Sequence, residues 1–593
     1  MMRNRTAIVR GALAALMALS GSLILQAQRP PSVVPLGDWP LGSGDIANSG
    51  YSALDEINPS NAGQLVPKWT FTLPTGTSAA ALTPLVVDGR MYFHSGSKVF
   101  ALDAVTGKQL WMTDVPPSAN ADIARAPAYG DGKVYAFTKT TLYAVDAETG
   151  KPVNAFGNNG AVRVINKALE FKDPGKYPAD LDPTTLGYSL TTAPMYHQGM
   201  LYIGIPFSDS LIEGGLLVAA DAGTGAVKWV FRTVPQGPND DGWELAKDTW
   251  KGERRLGGGI WSSPAIDPEL GIVYAIVGNP TPNYDGSSRL GTNLFTNSLL
   301  ALNLSTGKLL WHFQVIHHDI WDWDLVTGPT LFDIKGPDGT MVKGVAVAPK
   351  NCYVYFFNRE TGTPLNPIVE TPVPTRTDVP GEEPWPTQPI PYTSRSVPQE
   401  PFCATYPRVS DPDLAKLARP LYHPFQAGEF VILSPGNTGG PNIGRPSFSP
   451  RTGLLYIAGK NDAYSIKAKV VGNNLPATGY PGNRGHYGLI GEVGRTGMTA
   501  TQSIAGINPL TGTISWLNEV PTATGTGNLV TAGDVVVQAV GRDFYVFDAR
   551  NGRQLFKASL KTATRSTPMT FRAARRQLIA FVSGPSVVTF GLP

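Results

Sequence analysis

Short apolar runs that alternate with polar residues recur along the chain, and one turn phrase ends many of them. The phrase is Asp or Asn, two variable residues, usually Thr, and then Gly; it occurs seven times. In four copies a Trp stands eight positions after the Asp or Asn: Asp103…Gly107…Trp111, Asp221…Gly225…Trp229, Asn303…Gly307…Trp311 and Asn508…Gly512…Trp516. The other copies begin at Asp146, Asn358 and Asp548, with Asn154, Asn366 and Phe556 in place of the Trp. This repetition predicts one supersecondary unit stacked many times.

Each copy is typical of a β-hairpin. The run from Lys98 to Leu102 alternates in character and contains β-branched and aromatic residues, as strands do. The Asp side chain can bond backbone N–H groups of the turn, and a Gly four places later accepts a positive φ. The Trp then begins the next strand, where its large ring suits packing between neighbouring sheets.

Stacked four-stranded sheets arranged radially form a β-propeller, so the sequence predicts an all-β propeller with tryptophan-docking blades. A segment that runs from Leu65 to Trp69 supplies one more blade and brings the expected count to eight. We expect one propeller domain over residues 28–593, because propellers grow by adding blades rather than by thickening a core. A β-sandwich is the alternative, but so many near-identical turns would be unusual in one.

Residues 1–27 have the pattern of a secretory signal, with basic residues, an apolar stretch and a small residue, Ala27, at the cleavage position. The basic residues are Arg3, Arg5 and Arg10. The apolar stretch is short and interrupted by Gly and Ser, so we expect cleavage and a periplasmic protein, with an uncleaved membrane anchor as the alternative. Loss of the three Arg lowers the formal net charge from +3 to zero, and nothing indicates nucleic-acid binding.

The only cysteines are Cys352 and Cys403, which in a secreted protein could pair across the Pro-rich stretch between them. Two free buried thiols are the alternative. The chain has no Cys-x-x-Cys-His, which excludes a covalently attached c-type haem. The Pro-rich stretch 371–425 lacks strand periodicity, and we expect it to run as an excursion over one face of the propeller.

Candidate chemistry is concentrated in the segment from His317 to Asp324, which holds two His, three Asp and two Trp in eight positions. A polar loop with aromatic packing would account for the composition. Three carboxylates so close together repel one another unless a cation or a proton intervenes, and this favours a metal site.

At this segment the chain resembles the dehydrogenases that depend on pyrroloquinoline quinone (PQQ), a family of eight-bladed quinoproteins. The resemblance runs from about Trp39 to the C-terminus and includes the blade phrase, the His-Asp-x-Trp-Asp text ending at Asp322, and Gly278-Asn279-Pro280. The Pro-Gly-Glu…Pro-Thr-Gln-Pro loop looks most like the branch that oxidises sugars and polyols, which includes membrane-bound glucose dehydrogenases.

The resemblance implies roles for individual residues. Asp322 matches the catalytic base, and Lys350 matches the cation near the quinone oxygens. The expected cofactor contacts match as follows: Trp261 under the flat ring, Arg125 on a PQQ carboxylate, Thr191 as a hydroxyl donor and Asn442 at the quinone edge. Ordinary blade packing remains the alternative for Trp261, a solvated cation for Lys350, and turn formation for Thr191 and Asn442.

The expected metal ligands are Asp209, Asn279, Asp322 and Asp324. The family's Glu ligand falls on Asp209 when counted from Thr191 and on Ser210 when counted back from Gly215, and a carboxylate suits the role better. Ca²⁺ is the expected ion, although Asp324 resembles the extra carboxylate of members that use a lanthanide, or it caps a turn. Ala119 and Asn120 replace the adjacent cysteines of many alcohol-oxidising members.

The sequence thus predicts a dehydrogenase that oxidises an alcohol, polyol or sugar hydroxyl and transfers hydride to PQQ. Its electrons would leave to a separate cytochrome c or a membrane quinone. A non-catalytic propeller scaffold of the same ancestry is the first alternative. A metal-dependent hydrolase that uses His317 and His318 as ligands is the second, disfavoured because adjacent side chains on a strand point to opposite faces.

Overall fold

The repeated turns join neighbouring antiparallel strands. The Oδ1 atom of Asp103 accepts hydrogen bonds from the backbone N–H and the hydroxyl of Thr106 at 2.7 and 2.8 Å. The same pair of bonds recurs at Asp146, Asp221 and Asn303. Gly107 then has a φ of 72°, which lets the chain reverse without a Cβ clash. The predicted hairpins are therefore confirmed at these copies.

The computed structural model describes residues 34–74, 82–116, 125–206, 209–472 and 491–593. Within them, Leu36–Pro593 belong to one compact unit. The predicted signal, residues 1–27, lies outside the described residues, as do Ala119 and Asn120.

The first part of the chain contributes strands up to the candidate site segment. They are β1 (Tyr51–Ser52), β2 (Val66–Thr72), β3 (Leu85–Val87), β4 (Arg90–Ser95), β5 (Lys98–Asp103), β6 (Gln109–Asp114), β7 (Ala128–Gly130), β8 (Lys133–Phe137), β9 (Leu142–Asp146), β10 (Ala161–Val162), β11 (Met195–His197), β12 (Met200–Ile205), β13 (Leu216–Asp221), β14 (Val227–Arg232), β15 (Ala265–Asp267), β16 (Ile272–Ile276), β17 (Ser298–Asn303) and β18 (Leu309–Gln314).

The strands that follow the site segment are β19 (Thr330–Lys335), β20 (Met341–Val347), β21 (Tyr355–Asn358), β22 (Ile368–Pro372), β23 (Thr387–Ser394), β24 (Val397–Pro398), β25 (Val431–Leu433), β26 (Ser447–Ser449), β27 (Leu454–Asn461), β28 (Tyr464–Ala468), β29 (Gly491–Val493), β30 (Thr501–Ile507), β31 (Ile514–Pro521), β32 (Asn528–Thr531), β33 (Val535–Asp548), β34 (Gln554–Thr564), β35 (Met569–Ala573), β36 (Arg576–Ser583) and β37 (Ser586–Gly591). The α-helices are α1 (Val164–Lys172), α2 (Trp243–Ala246) and α3 (Pro412–Ala415), and 3₁₀ turns cover Ala62–Gln64, Pro183–Leu186 and Lys247–Thr249.

Four-stranded sheets dominate the described residues. They have the strand orders β3-β4-β5-β6, β10-β9-β8-β7, β11-β12-β13-β14, β15-β16-β17-β18, β26-β27-β30-β31, β1-β32-β33-β34 and β2-β37-β36-β35. A three-stranded sheet, β19-β20-β21, carries the repeated turn at Asn358. Two further three-stranded sheets, β22-β23-β24 and β25-β28-β29, do not carry the repeated turn.

Both ends of the described chain meet in two of these sheets. Strand β2 pairs antiparallel with β37, and β1 pairs parallel with β32. The segment that ends at Trp69 thus lies in a sheet whose other strands come from the C-terminus, a pairing that its sequence does not predict. Because these sheets hold strands from both ends, backbone hydrogen bonds fasten the N-terminal strands to the last ones.

Trp side chains join several of the sheets to the next one. A Cβ atom placed on the turn Gly of a neighbouring sheet would lie 2.5–2.7 Å from an indole, which shows that the ring lies flat on the turn. The contacting pairs are Trp69–Gly107, Trp111–Gly150, Trp229–Gly307, Trp311–Gly362 and Trp516–Gly552. Several indoles also donate to a turn carbonyl; Trp111 Nε1 donates to Ala147 at 3.1 Å and Trp229 Nε1 to Leu304 at 3.1 Å. This sheet-on-turn packing is the predicted tryptophan docking.

The Pro-rich stretch 371–425 is more regular than its sequence indicates. Strand β23 pairs antiparallel with β22, so that Ile368 faces Pro391 and Glu370 faces Pro389. Proline cannot donate a backbone hydrogen bond to a neighbouring strand. Prolines also obscure the alternation of apolar and polar residues by which a strand is recognised in a sequence. The stretch therefore contains strand structure that its sequence pattern does not indicate.

Cys352 and Cys403 form a disulfide with their Cα atoms 5.4 Å apart, which settles the pairing that the sequence leaves open. It closes a loop with a sequence separation of 51 residues that includes most of the Pro-rich stretch. A Cβ atom on Gly440 would clash with both sulfur atoms, so the disulfide packs directly under the loop that contains Gly440.

Two glycines of the β15–β18 sheet allow the Trp229 docking contact to be tested by its effect on the free energy of unfolding. Gly307 and Gly271 have φ values of 70° and 65°, but only at Gly307 would a new Cβ lie 2.5 Å from Trp229; at Gly271 it would meet nothing within 4 Å. We expect Gly271→Ala to cost about 1–2 kcal/mol of unfolding free energy through its φ alone. Gly307→Ala should cost a further ~1–3 kcal/mol from overpacking. Equal losses in denaturant unfolding would contradict the docking role of Trp229.

Candidate active site

The candidate base lies in the segment between β18 and β19, where Asp319 orders the chain. Its carboxylate accepts hydrogen bonds from the backbone N–H groups of Trp321 and Trp323 at 2.8 and 2.9 Å. Asp319 therefore has a local structural role, whereas Asp322 takes no part in this turn. Asp322 is 2% exposed and has a φ of 61°, a left-handed conformation that non-glycine residues rarely adopt. Such backbone strain is concentrated at functional sites.

A buried ammonium group joins the two carboxylates that flank Trp323. Lys350 Nζ lies 3.0 Å from Asp322 Oδ1 and 2.6 Å from Asp324 Oδ1. The other oxygen of Asp324 accepts a hydrogen bond from Trp261 Nε1 at 2.8 Å. The predicted base, cation and ring-stacking indole are thus parts of one connected cluster, and Asp324 fixes two of them.

Burial and neighbouring charges perturb both members of the Asp322–Lys350 pair. Loss of solvent raises the pKa of Asp322, the negative charges of Asp209 and Asp324 raise it further, and Lys350 opposes them without cancelling them. Burial lowers the pKa of Lys350, but Asp322, Asp324 and Asp209 together raise it above its usual value. Lys350 therefore stays protonated, while Asp322 has a higher proton affinity than an exposed carboxylate, as suits a general base.

Asp209 and Asn279 lie beside this cluster. Asp209 is 4% exposed, accepts a hydrogen bond from Asn283 Nδ2 at 3.0 Å, and is close enough to affect the pKa of Asp322. Its neighbour Ser210 instead uses its carbonyl to accept the Thr281 hydroxyl at 3.4 Å. Of the two registers left open by the sequence, Asp209 is the one that presents its charge to the cluster.

The oxygen ligands in this region fit a hard cation. Asn279 is fully buried; its Nδ2 donates to the Pro280 carbonyl at 3.0 Å, and its Oδ1 accepts no hydrogen bond from the described residues. A buried amide oxygen left in this way is suited to Ca²⁺, which binds carboxylate and amide oxygens together. No group of three or more His, Cys, Asp or Glu side chains in the described ranges is arranged to hold an ion by itself. A metal here would depend on the Asn279 amide and on oxygens of a bound ligand.

The pocket next to Trp261 is lined by basic side chains. Its polar lining includes Arg125 and Arg445, and Trp261 forms part of its wall. Desolvation lowers the pKa of Arg125 to about 10 and that of Arg445 to about 10, and the charge of Arg125 contributes to the second shift. Two guanidinium groups that destabilise each other in this way favour a negatively charged ligand, and carboxylates are their best partners.

Thr191 and Asn442, the remaining predicted contacts, differ in their surroundings. Thr191 accepts a hydrogen bond from Arg125 Nε through its carbonyl at 3.3 Å, while its buried hydroxyl has no hydrogen-bond partner among the described residues. Asn442 uses both ends of its amide locally: Nδ2 donates to the Thr438 carbonyl at 2.6 Å, and Oδ1 accepts the N–H of Ile443 at 2.7 Å. Thr191 thus has a free donor for a ligand, whereas Asn442 shapes a turn.

The adjacent histidines are directed to separate carboxylates of the Pro-rich stretch and its flank. His317 Nε2 lies 3.0 Å from Glu370 Oε1, and His318 Nε2 lies 2.7 Å from the buried Glu382 Oε1. Both rings therefore hold this stretch against the site segment rather than converging on one point. The hydrolase alternative, which needs the two histidines as co-ligands, finds no support in this geometry.

Sequence reasoning missed two residues of the site. Arg445 lies three positions after Asn442 but is not part of the matched motif Asn442-Ile443-Gly444. Tyr284 follows Asn279 by five positions; burial raises the pKa of its phenol well above the usual value, and the charges of Asp322 and Asp209 raise it further. No local pattern marks either residue, because their role depends on which sheets meet around the pocket.

Comparison with known proteins identifies the family of the chain. A family model described as the PQQ beta-propeller domain of glucose, ethanol and alcohol dehydrogenases matches residues 39–485 and 472–579. The dehydrogenase subunit of a quinone-dependent alcohol dehydrogenase from Acetobacter aceti is 30% identical over 95% of this chain and 73% of its own length. Quinoprotein glucose dehydrogenase A from Acinetobacter calcoaceticus is 26% identical over 94% of this chain and 78% of its own.

A solved quinohemoprotein alcohol dehydrogenase from Pseudomonas putida has the same fold, with a TM-score of 0.73 and 24% identity over 94% of this chain and 80% of its own. The predicted all-β propeller is therefore confirmed. Taken with the matched family model and the relative from Acetobacter aceti, the repeats and the site place this chain in the family of PQQ-dependent quinoprotein dehydrogenases.

Proposed function

We propose that this chain oxidises a hydroxyl group of an alcohol, polyol or sugar to the carbonyl, with PQQ as the hydride acceptor and Asp322 as the general base. The observation that carries the proposal is the buried cluster in which Lys350 joins Asp322 to Asp324 and Asp324 holds the Trp261 indole. This cluster brings the proposed base, a cation and a flat aromatic surface close together.

The residues that would hold PQQ surround this cluster. The indole of Trp261 offers a flat surface for its ring system, and Arg125 and Arg445 offer charge-assisted hydrogen bonds to its carboxylates. The buried Thr191 hydroxyl, next to Arg125, supplies a further donor. The side-chain amide of Asn442 is already hydrogen-bonded within its own turn. Asn442 would therefore affect the quinone edge by fixing the position of its loop.

Asp209, Asn279 and Asp322 would hold a metal ion, with Asp324 close by. Ca²⁺ is the ion that we favour over a lanthanide. Lys350 and Trp261 already engage both oxygens of Asp324, which leaves this carboxylate poorly placed as the extra ligand that a trivalent ion would need.

In the proposed reaction, Asp322 accepts the proton of the substrate hydroxyl. Bound PQQ, polarised by the metal ion, would supply the acceptor for the hydride that leaves the same carbon. The raised pKa of Asp322 brings its proton affinity nearer to that required of a base at neutral pH. Lys350 orients the carboxylate, and its positive charge stabilises negative charge that develops nearby.

We further propose eight blades, counting β19-β20-β21 as one and each four-stranded sheet as another. A periplasmic location, with electrons passed to a separate cytochrome c or a membrane quinone, agrees with the signal-like sequence at residues 1–27. None of the helices in the described part of the chain is long and apolar enough to span a membrane.

The test is a substrate screen with an artificial electron acceptor and purified protein. Dye reduction by alcohols, polyols and sugars is measured with and without PQQ, Ca²⁺ and a light lanthanide. We expect oxidation of at least one substrate class that requires PQQ and is stronger with Ca²⁺. No dye reduction together with no PQQ absorption band on the purified protein would favour a non-catalytic scaffold.

A further inference from the structure

Lys460, on strand β27, is a buried cation for which the proposed mechanism has no use. Its side chain is 8% exposed, and its ammonium group donates to the hydroxyl of Thr438. No ion pair joins it to a carboxylate of the described residues. Buried lysines are rare unless they are paired, because a charge without a counterion loses its hydration. A bound anion would therefore stabilise the buried charge of Lys460.

The loop from Thr438 to Asn442 links Lys460 to the candidate active site. The Gly440 N–H donates to the Lys350 carbonyl at 2.9 Å, and the Gly440 carbonyl accepts the N–H of Lys460 at 2.8 Å. A Cβ atom on Gly525 would lie 3.4 Å from Asn442 Cβ and 3.6 Å from Lys460 Cε, so both side chains flank the same glycine. Lys460 is thus held beside Asn442 and one loop away from the ammonium that contacts Asp322.

The nearby charges are unfavourable to Lys460 in the absence of an anion. Its pKa is lowered to about 8, mainly by burial and in smaller part by the positive charges of Lys350 and Arg565, against the opposing effect of Asp462. Lys350 already has two carboxylates, whereas Lys460 has a neutral hydroxyl. A bound carboxylate would relieve this imbalance through a charge-assisted hydrogen bond.

Building on the proposed function, we infer that Lys460 and Thr438 form a subsite for the carboxylate of the substrate, so that the preferred substrate is a hydroxy acid. The position of the subsite favours substrate over cofactor. Arg125 and Arg445 line the pocket at Trp261 and are available for the PQQ carboxylates, while Lys460 does not line that pocket. The charge of Arg565, which lines that pocket, reaches Lys460, but Gly440 joins the backbone of Lys460 to that of Lys350, the residue that contacts the proposed base.

The experiment compares wild type with Lys460→Met, which removes the charge, and Lys460→Arg, which keeps it. Glycerate and 3-hydroxybutyrate are each assayed against their methyl esters with the PQQ-loaded protein. We expect wild type to prefer the acids and Lys460→Met to lower the acid-to-ester ratio of kcat/KM by roughly 10- to 100-fold, mainly through KM. Lys460→Arg should restore part of the ratio. An unchanged ratio, or a wild-type preference for the esters, would overturn the inference.

Two further measurements distinguish a wrong substrate subsite from a role of Lys460 in PQQ binding and from a failure of the proposed function. The Kd for PQQ is determined for wild type and Lys460→Met; a loss of more than about tenfold with an unchanged acid-to-ester ratio would assign Lys460 to the cofactor and overturn the substrate subsite. Calorimetry with glycerate and methyl glycerate on PQQ-free protein tests the subsite without turnover. Tighter binding of glycerate that is lost in Lys460→Met supports the subsite even when no substrate is oxidised, whereas equal binding of acid and ester contradicts it.

Discussion

Replacement of Asp322 by asparagine is expected to lower kcat by about 10²–10⁴-fold, the usual contribution of a general base. Asparagine has nearly the same shape but cannot take the hydroxyl proton. Lys350 keeps its 2.6 Å contact with Asp324, so the buried ammonium remains paired and the fold should be retained. The measurement is dye-linked turnover of the reconstituted protein, with circular dichroism and PQQ binding recorded on the same samples.

Asp338→Asn is the matched control, since Asp338 is an exposed turn residue whose carboxylate accepts hydrogen bonds from the N–H and hydroxyl of nearby Thr340. It should leave kcat within about twofold of wild type, because surface substitutions change little. Near-normal turnover in Asp322→Asn would show that another group takes the proton. A loss of turnover that is accompanied by a loss of structure would be repeated with Asp322→Glu, which keeps the carboxylate and should retain more activity than the asparagine variant.

The double replacement Arg125→Met and Arg445→Met is expected to weaken PQQ binding by roughly 10²–10⁴-fold, since each hydrogen bond to a charged group contributes about 1.5–3 kcal/mol. Without PQQ, the same change should leave thermal stability equal or higher. When no anion neutralises them, the two buried guanidinium groups repel each other, and their charged forms are less stable. Equilibrium titration with PQQ, followed by protein fluorescence, measures the first effect, and thermal unfolding measures the second.

Arg395→Met, at an exposed arginine, serves as the control for the loss of positive charge. It should leave the Kd for PQQ unchanged. If the double variant binds PQQ as tightly as wild type, the pocket beside Trp261 does not receive the cofactor carboxylates.

The sequence predicts the blades well because each is specified locally. The Asp103 carboxylate caps its own turn, Gly107 reverses the chain, and the Trp eight positions after the Asp is directed to the next sheet. These contacts depend on residues that are close in sequence or that repeat with a fixed spacing. The pairing of β1 with β32 has no such signal, because the partners are more than 450 residues apart. The strand β23 was missed because its prolines hide the alternation.

The candidate site likewise contains residues that a local motif predicts and residues that it does not. Asp322, Asn279 and Lys350 lie in short motifs that resemble a family, and the structure brings Asp322 and Lys350 into contact at 3.0 Å. Their partners come from distant sheets: Arg445 joins Arg125 only through the packing around the pocket, and Lys460 reaches the site through one glycine loop. Pairwise geometry of this kind depends on how the sheets meet, which no local pattern encodes.

The most direct measurement is a crystal structure of the protein bound to PQQ and Ca²⁺. We predict that the tricyclic ring stacks on the Trp261 indole and that its carboxylates contact Arg125 and Arg445. We also predict that the ion lies within reach of Asn279 Oδ1 and the Asp322 carboxylate. PQQ bound elsewhere, or an Asp322 side chain directed away from the bound quinone, would contradict these predictions.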